Sequence, residues 1–329
     1  MEYTELGKSG IKVSRICLGC MGFGDANLGH HAWTLDEEHS KEIIKAALDN
    51  GINFFDTAMG YADGTSEEYL GRSIKDLTAR QNAIIATKFL PRTEAEVADG
   101  VSGQKHVADC LDNSLKRLGM DYVDLYICHM WDYHTPIEEI MEGLNIAVKQ
   151  GKVRAIGISN CYAWQLEKAN AVAERNGWAK FVSVQGHYNL LFREEEREMV
   201  PCCEENGIAL TPYSPLASGR LVKTADEMTQ RLETDTVAKS KYDLTKAQDS
   251  VIIARVAELA EKKGLTRTQI ALGWLLSKAT APIVGATKVK HIEDAVATVG
   301  VKVSDEEIAY LEEMYVPHKL VGVMQFNHK

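Results

Sequence analysis

The chain has 329 residues, long for an ordinary domain but within reach of one α/β barrel with insertions. Its 45% hydrophobic and 26% charged residues exclude a disordered chain. A formal charge of -10 argues against nucleic acid or an anionic membrane as partner, and leaves room for a small anionic cofactor held by local Lys and Arg.

The first ten residues, MEYTELGKSG, lack a basic then apolar leader, and no apolar run approaches the roughly 20 residues that cross a bilayer, so a cytoplasmic location is expected. Seven cysteines, an odd number, suit reduced and buried thiols. Cys17 and Cys20 form a lone CxxC without two further ligands at matching spacing, so no metal is expected there.

In chain order, residues 3–14 read as a leading hairpin with a Gly-bearing turn, and 16–18 as the first core strand. Thr34 with Glu37 has the spacing of a capping box that opens a helix to about Asn50. The device recurs at Thr65 with Glu68, Thr135 with Glu138 (Pro136 at the first helical position), Thr266 with Gln269, and Ser304 with Glu307. Between these helix starts lie apolar runs of strand length at 53–56, 83–87, 123–128, 153–158, 181–184, 208–210 and 282–284.

With 16–18 they make eight strands, each apolar on both faces and followed by a helical segment, as in a parallel sheet covered on both sides. A doubly wound open sheet needs GxGxxG in its first turn, and the glycines of 18–24 lack that spacing. The expected fold is therefore an α/β (β/α)8 TIM barrel, with an N-terminal hairpin and a C-terminal helical or loop extension. Residues 1–329 read as one domain, and 214–246 as an inserted loop.

Several strands end in polar or ionisable residues: Asp56, Lys88, His129, Ser159, Asn160, Gln185 and Tyr213, with Gly285 after the last. In such barrels the groups that do chemistry sit at this edge. Alternation places Phe54 with Asp56, Ile84 and Ala86 with Lys88, and Leu125 and Ile127 with His129, so the polar groups face one pocket. Each alone reads equally as a cap, a surface group or a core histidine; together they read as a site.

These residues carry a resemblance. GINFFDTAMGY, SLKRLGMDYVDLYICH, GKVRAIGISN, VQGHYNLLFREEEREMVP, PYSPLASGRL and APIVGATKVKHIED resemble the aldo-keto reductases over nearly the whole chain. The segment 184–201 and the ending YVPHKLVG are most similar to a bacterial branch related to aryl-alcohol dehydrogenases and potassium-channel β subunits. The resemblance implies NADPH-dependent reduction of a small-molecule carbonyl, with Asp56, Tyr61, Lys88 and His129 as the catalytic tetrad. Carbonyl reduction needs a proton at oxygen as a hydride reaches carbon. Tyr61 is expected to deliver that proton, Lys88 to favour loss of the phenol proton, Asp56 to hold Lys88 charged, and His129 to place the carbonyl oxygen.

For NADP(H), Ser159, Asn160 and Gln185 (with Asp56) are expected at the nicotinamide amide and Tyr213 under its ring, with Gly19 and Met21 close by. Ser214, Pro215, Leu216, Gly219 and Arg220 are expected at the pyrophosphate. Gly285, Thr287, Lys288, His291 and Asp294 are expected at the adenosine phosphate, with charge from Lys288 and His291. Ala295 stands where relatives often carry an adenine-contacting Asn. His30, His31, Trp33, Met59, Phe89, Trp131 and Tyr188 are expected as pocket walls suited to an aromatic or small aliphatic aldehyde. Two other readings remain open: an NADP-sensing binding subunit, and a sugar-phosphate lyase or isomerase in which Lys88 forms a Schiff base.

Overall fold

The computed structural model describes residues 1–29, 33–223 and 235–326. Strands β1 (Tyr3–Glu5) and β2 (Lys12–Ser14) pair antiparallel as the expected hairpin. Eight parallel strands follow: β3 (Cys17–Gly19), β4 (Phe54–Asp56), β5 (Ile84–Phe89), β6 (Val123–Cys128), β7 (Val153–Ser159), β8 (Phe181–Gln185), β9 (Ala209–Leu210) and β10 (Ile283–Gly285). Their spatial order is β10-β3-β4-β5-β6-β7-β8-β9. Between the two ends of this row, Thr280 N–H donates to the Leu210 carbonyl (2.9 Å) and Ile283 N–H to the Pro212 carbonyl (2.9 Å). The row thus closes on itself into the (β/α)8 barrel.

Both faces of these strands are apolar because both are covered. Cys17, Phe54, Ile84, Ala86, Leu125, Ile127, Ala155, Ala209 and Ile283 fill the barrel, and Leu6, Ile11 and Val13 of the hairpin region join them. The hairpin closes the N-terminal end of the strands, where Ser14 N–H donates to Asn53 Oδ1 (2.7 Å) just before β4. The other faces, including Leu18, Phe55, Ile85, Tyr126, Ile156 and Val184, pack under the helices. All seven cysteines are free thiols, and six are buried.

Two of the expected capping boxes form, at Thr266 with Gln269 and at Ser304 with Glu307. Three starts fall elsewhere. Asp36 caps helix Glu37–Asp49 through His39 N–H, because its carboxylate lies nearer the first turn than the Thr34 hydroxyl does. Thr65 is itself the first helical residue and its hydroxyl accepts from Asp25 N–H, and the Thr135 hydroxyl accepts from Arg92 Nε, so both oxygens serve other donors than a helix amide. An unexpected box, Thr93 with Glu96, opens Glu94–Ala98. The stretch expected as a loop at 214–246 carries helix Thr236–Tyr242 and a turn of 3-10 helix at Asp243–Thr245; residues 224–234 lie outside the described residues. Among the described residues no helix is long and apolar enough to cross a membrane.

Candidate active site

Asp56 is the last residue of β4, Lys88 the fifth of β5, and His129 the first beyond β6. Parallel register sets β4, β5 and β6 side by side, with Asp56 opposite Ala86 and Lys88 opposite Ile127. Inward alternation then sends Asp56 and Lys88 into one space at the C-terminal end of the barrel. Tyr61 arrives from the turn after β4, a 3-10 segment in which Ala62 (φ 44°) and Asp63 (φ 51°) are left-handed. Gly24 and Gly29 allow the preceding loop to lie on this turn: a Cβ at Gly24 would come within 2.4 Å of the Ala62 Cβ. A loop packed this closely holds the strained turn, and hence the phenol, in place.

Lys88 is fully buried. Its Nζ donates to Asp56 Oδ1 (2.5 Å), the Thr57 carbonyl (2.8 Å) and the Tyr61 hydroxyl (3.1 Å), which accounts for all three ammonium protons. Asp56 is held from the other side by Gln185, whose Nε2 donates to Oδ2 (2.9 Å). Burial alone would lower the Lys88 pKa, but the Asp56 carboxylate and the Tyr61 oxygen outweigh it and raise it, so the ammonium stays charged. Burial pushes the Tyr61 phenol up, and Lys88 draws it only part of the way back. The expectation that Lys88 makes this phenol more acidic than free tyrosine is corrected: desolvation of the phenolate is the larger effect here.

His129 lies edge-on to Tyr61, with ring centroids 5.8 Å apart. Burial and the nearby Lys88 lower its pKa to about 3, so the ring is neutral at physiological pH. Its Nδ1 is buried without a hydrogen-bond partner. A neutral imidazole beside a phenol and an ammonium can orient an oxygen but is not itself a proton source at neutral pH.

The polar residues at the later strand ends form one connected group. Asn160, left-handed at φ 49°, donates from Nδ2 to Ser159 Oγ (2.8 Å) and to the His129 carbonyl (2.9 Å). Its Oδ1 accepts from the Tyr213 hydroxyl (2.9 Å), while Ser159 Oγ donates to the Gln185 carbonyl (2.7 Å). Beyond Tyr213 the chain turns through left-handed Ser214, Ala217, Ser218 and Gly219, and the amides of Ala217, Gly219 and Arg220 donate within the loop to the carbonyls of Ser214, Leu216 and Ala217. Pro215 and Leu216 lie within this loop. Arg220 follows, with one guanidinium nitrogen on Asp243 (2.6 Å) and its Nη1 buried without a partner. At the last turn, Lys288 is exposed at the start of helix Val289–Val296. These features fit a nicotinamide dinucleotide: amides for a carboxamide, a ring for stacking, and a tight loop that ends in a cation for phosphates.

Several expected positions are placed otherwise. Thr287 N–H donates to the His291 ring (3.3 Å), and burial followed by Lys288 lowers the His291 pKa. Asp294 pairs with Lys290 (2.7 Å). Ala295 is fully buried in the outer core, so an Asn there would face packed side chains. Gly19 is a glycine for packing, since a Cβ would meet Ile283 Cγ2 at 2.7 Å; Met21 is half-buried.

Among the expected walls, Trp131 pairs with Trp164 (5.9 Å), Trp33 lies over Gly22, and Met59 is half-buried beside the outer core. Phe89 and Tyr188 are corrected. Phe89 follows Lys88 and so points outward, stacked on Tyr126 (4.9 Å); Tyr188 is buried against Trp274, its hydroxyl on Glu196 (2.5 Å). His30 and His31 lie outside the described residues. Sequence reasoning also missed the Thr57 carbonyl, for which no side-chain signal exists. It missed Glu195, hidden in the run Glu194-Glu195-Glu196, whose carboxyl packs on Gly186; burial and then Glu194 raise its pKa to about 8.

A closed eight-stranded barrel with a buried Asp, Lys and Tyr cluster and a neutral His at its C-terminal mouth has the arrangement of a carbonyl-reducing oxidoreductase. Residues 15–316 match the aldo/keto reductase family, and the chain belongs to that family. It is 41% identical over 338 residues to a versiconal hemiacetal acetate reductase of Aspergillus parasiticus, across 96% of this chain and 98% of that one. It is 39% identical to a Schizosaccharomyces pombe protein named as an aryl-alcohol dehydrogenase, across 97% of each. Among solved structures, the thermostable aldo-keto reductase Tm1743, in complex with the inhibitor epalrestat, matches with a TM-score of 0.76 and 29% identity. That match covers 95% of this chain and all of the other.

Proposed function

We propose that residues 1–329 act as one NADP(H)-binding barrel that reversibly reduces an aldehyde or ketone to an alcohol, with Tyr61 as the proton donor. The observation that carries this reading is the Lys88 ammonium shared among Asp56, the Thr57 carbonyl and the Tyr61 hydroxyl. When bound, the nicotinamide supplies the hydride. His129, neutral, orients the carbonyl oxygen, and Tyr61, protonated because burial raises its pKa, gives its proton to that oxygen. The phenolate left behind sits against Lys88, whose charge is held by Asp56. Gln185 keeps the Asp56 carboxylate aimed at Lys88, so the cation is fixed before the reaction begins.

Ser159, Asn160, Gln185 and Tyr213 are assigned to the nicotinamide, the loop from Ser214 to Arg220 to the pyrophosphate, and Lys288 to the 2′-phosphate. Trp33, Met59 and Trp131 are assigned to the substrate, which favours an aromatic or small aliphatic aldehyde; the aryl-alcohol dehydrogenase relative supports the aromatic class. A Schiff-base lyase needs Lys88 as a neutral amine, whereas its surroundings raise its pKa. The test is NADPH oxidation over a panel of aldehydes, ketones and ketose phosphates, with borohydride trapping in parallel. Turnover without a covalent Lys88 adduct supports the reductase; an adduct with no NADPH consumption refutes it.

A further inference from the structure

The end of β5 carries three consecutive carbonyls that each hold a different part of the molecule. The Lys88 carbonyl accepts from Met59 N–H (3.1 Å), in the turn that brings Tyr61, and the Phe89 carbonyl accepts from His129 N–H (2.9 Å). The Leu90 carbonyl, one residue beyond the strand, accepts from the His106 ring at Nε2 (2.8 Å). His106 is buried on helix Gly103–Leu118, and its Nδ1 faces the Glu96 carboxylate (2.9 Å) on the short helix Glu94–Ala98. A carbonyl and a carboxylate only accept, so both ring nitrogens donate and the ring is an imidazolium. Burial alone would lower the His106 pKa, but the Cys110 thiol, the Leu90 carbonyl and Glu96 outweigh it and raise it to about 9. Burial alone would raise the Glu96 pKa, but the Thr93 amide and His106 lower it to about 2, so the carboxylate is charged. The Leu90 side chain in turn lies over the Tyr61 turn, where a Cβ at Gly60 would stand 3.4 Å from its Cδ1.

We propose that His106 is a positioning residue for carbonyl reduction: by holding the Leu90 carbonyl it fixes the strand end on which Lys88, the Tyr61 turn and His129 are assembled. The inference rests on the reductase reading given above. Loss of the bond frees Leu90 to leave Gly60 and lets the two carbonyls before it shift, and with them the Met59 and His129 amides. A displacement of about 1 Å between reacting groups costs up to about a hundred-fold in rate. The residues assigned to the nicotinamide stand on later strands, so cofactor binding is spared. The ring also sets the pH range in which this support holds. Among the described residues, the titratable groups it meets are Glu96, Cys110 on its own helix (Sγ 3.7 Å from Nε2) and, beyond the Phe89 ring, Tyr126 of β6. Burial holds the Tyr126 phenol well above its usual value, so it stays neutral. When the imidazolium loses a proton, the one that remains goes to the Glu96 carboxylate, the stronger acceptor, and the Leu90 carbonyl then faces a lone pair. The support is therefore complete at neutral pH and is lost as pH rises through about 9.

Single-turnover NADPH oxidation, NADPH dissociation constants and amide hydrogen exchange are to be measured on the wild-type chain and on His106→Leu, Glu96→Gln and Cys110→Ala. His106→Leu removes both donors. At neutral pH its single-turnover rate should fall about ten- to hundred-fold and its NADPH constant should hold, while the Met59 and His129 amides exchange about ten-fold faster and those of β7 do not. Glu96→Gln keeps the Leu90 bond, because a neutral ring then accepts from the new amide at Nδ1 and gives its single proton to Leu90. Its rate at neutral pH should match the wild type, and the wild-type loss of about ten-fold between about pH 8 and about pH 10 should disappear. Tyr61, raised above its usual value, titrates in both chains and cancels in the comparison. Cys110→Ala keeps both bonds and should keep the alkaline loss. An unchanged rate or unmoved amides in His106→Leu overturns the proposal, as does an alkaline loss that persists in Glu96→Gln or vanishes in Cys110→Ala. Should His106→Leu fail to fold, the Glu96→Gln comparison decides alone. A wild-type chain that oxidises no NADPH refutes the reductase reading instead, and the exchange rates then still test the hold of His106 on the strand end.

Discussion

Tyr61→Phe separates proton delivery from everything else the site does. The hydroxyl accepts one hydrogen bond, from Lys88 at 3.1 Å, and the ammonium keeps its bonds to Asp56 and Thr57 when that acceptor is gone. One hydrogen bond among three is worth about 1 kcal/mol, so the melting temperature should move by only a few degrees. The ring stays, so its edge contact with His129 is kept. General acid catalysis contributes about 10² to 10⁴-fold, which corresponds to roughly 3 to 5 kcal/mol of barrier. Single-turnover NADPH oxidation should slow by that factor while the NADPH dissociation constant holds. Lys88→Met is the contrasting variant. It should slow turnover comparably, but it also strands the buried Asp56 with only the Gln185 amide as side-chain partner, at a stability cost of about 3–5 kcal/mol. Because both residues serve one proton transfer, the double variant should turn over hardly more slowly than either single one. Near-full single-turnover rates in Tyr61→Phe would falsify the assignment of Tyr61 as the acid.

Three further outcomes are expected. NADPH should bind about ten-fold or more tightly than NADH through the exposed Lys288, since Lys290 is tied to Asp294; titrations of Lys288→Met should show that preference lost. Ala295→Asn buries an amide in the outer core, so chemical denaturation should show a loss of about 1–3 kcal/mol, with no gain in NADPH affinity. Glu195 has a folded pKa of about 8 against an ordinary carboxylate value near 4.3 when unfolded, so the folded state holds a proton the unfolded chain has released. Stability should therefore fall as pH rises from about 4.5 to 8, by an order of 1–3 kcal/mol after allowance for partial exposure, and Glu195→Gln should flatten that slope in melts across the range.

The barrel was legible because its strands obey one simple rule, apolar on both faces with a polar residue at the end, and that rule also found Asp56, Lys88 and His129. Period-two alternation carries information that one step of reading can miss: Phe89 adjoins Lys88 and must therefore point the other way. Helix starts were less legible, because several hydroxyls and carboxylates near a start compete for one amide. Asp36 prevailed over Thr34, and Thr65 and Thr135 were drawn to other partners. Ala295 and His291 depended on the rotation of a short helix about its axis, which eight residues specify weakly.

The barrel is fastened unevenly around its circumference. From β5 to β8 the strands run five to seven residues, whereas β9 has two and meets the start of β10 through a few backbone bonds at Thr280, Ala281 and Ile283. That seam is the weakest hoop of the cylinder, and hydrogen exchange should find its amides among the first to open. The turn that begins at Tyr213 leaves one side of the seam, and the turn at Gly285 leaves the other. A ligand long enough to touch both turns acts as a clasp across the join: whatever binds there also holds the cylinder shut, and its concentration sets how often the wall parts.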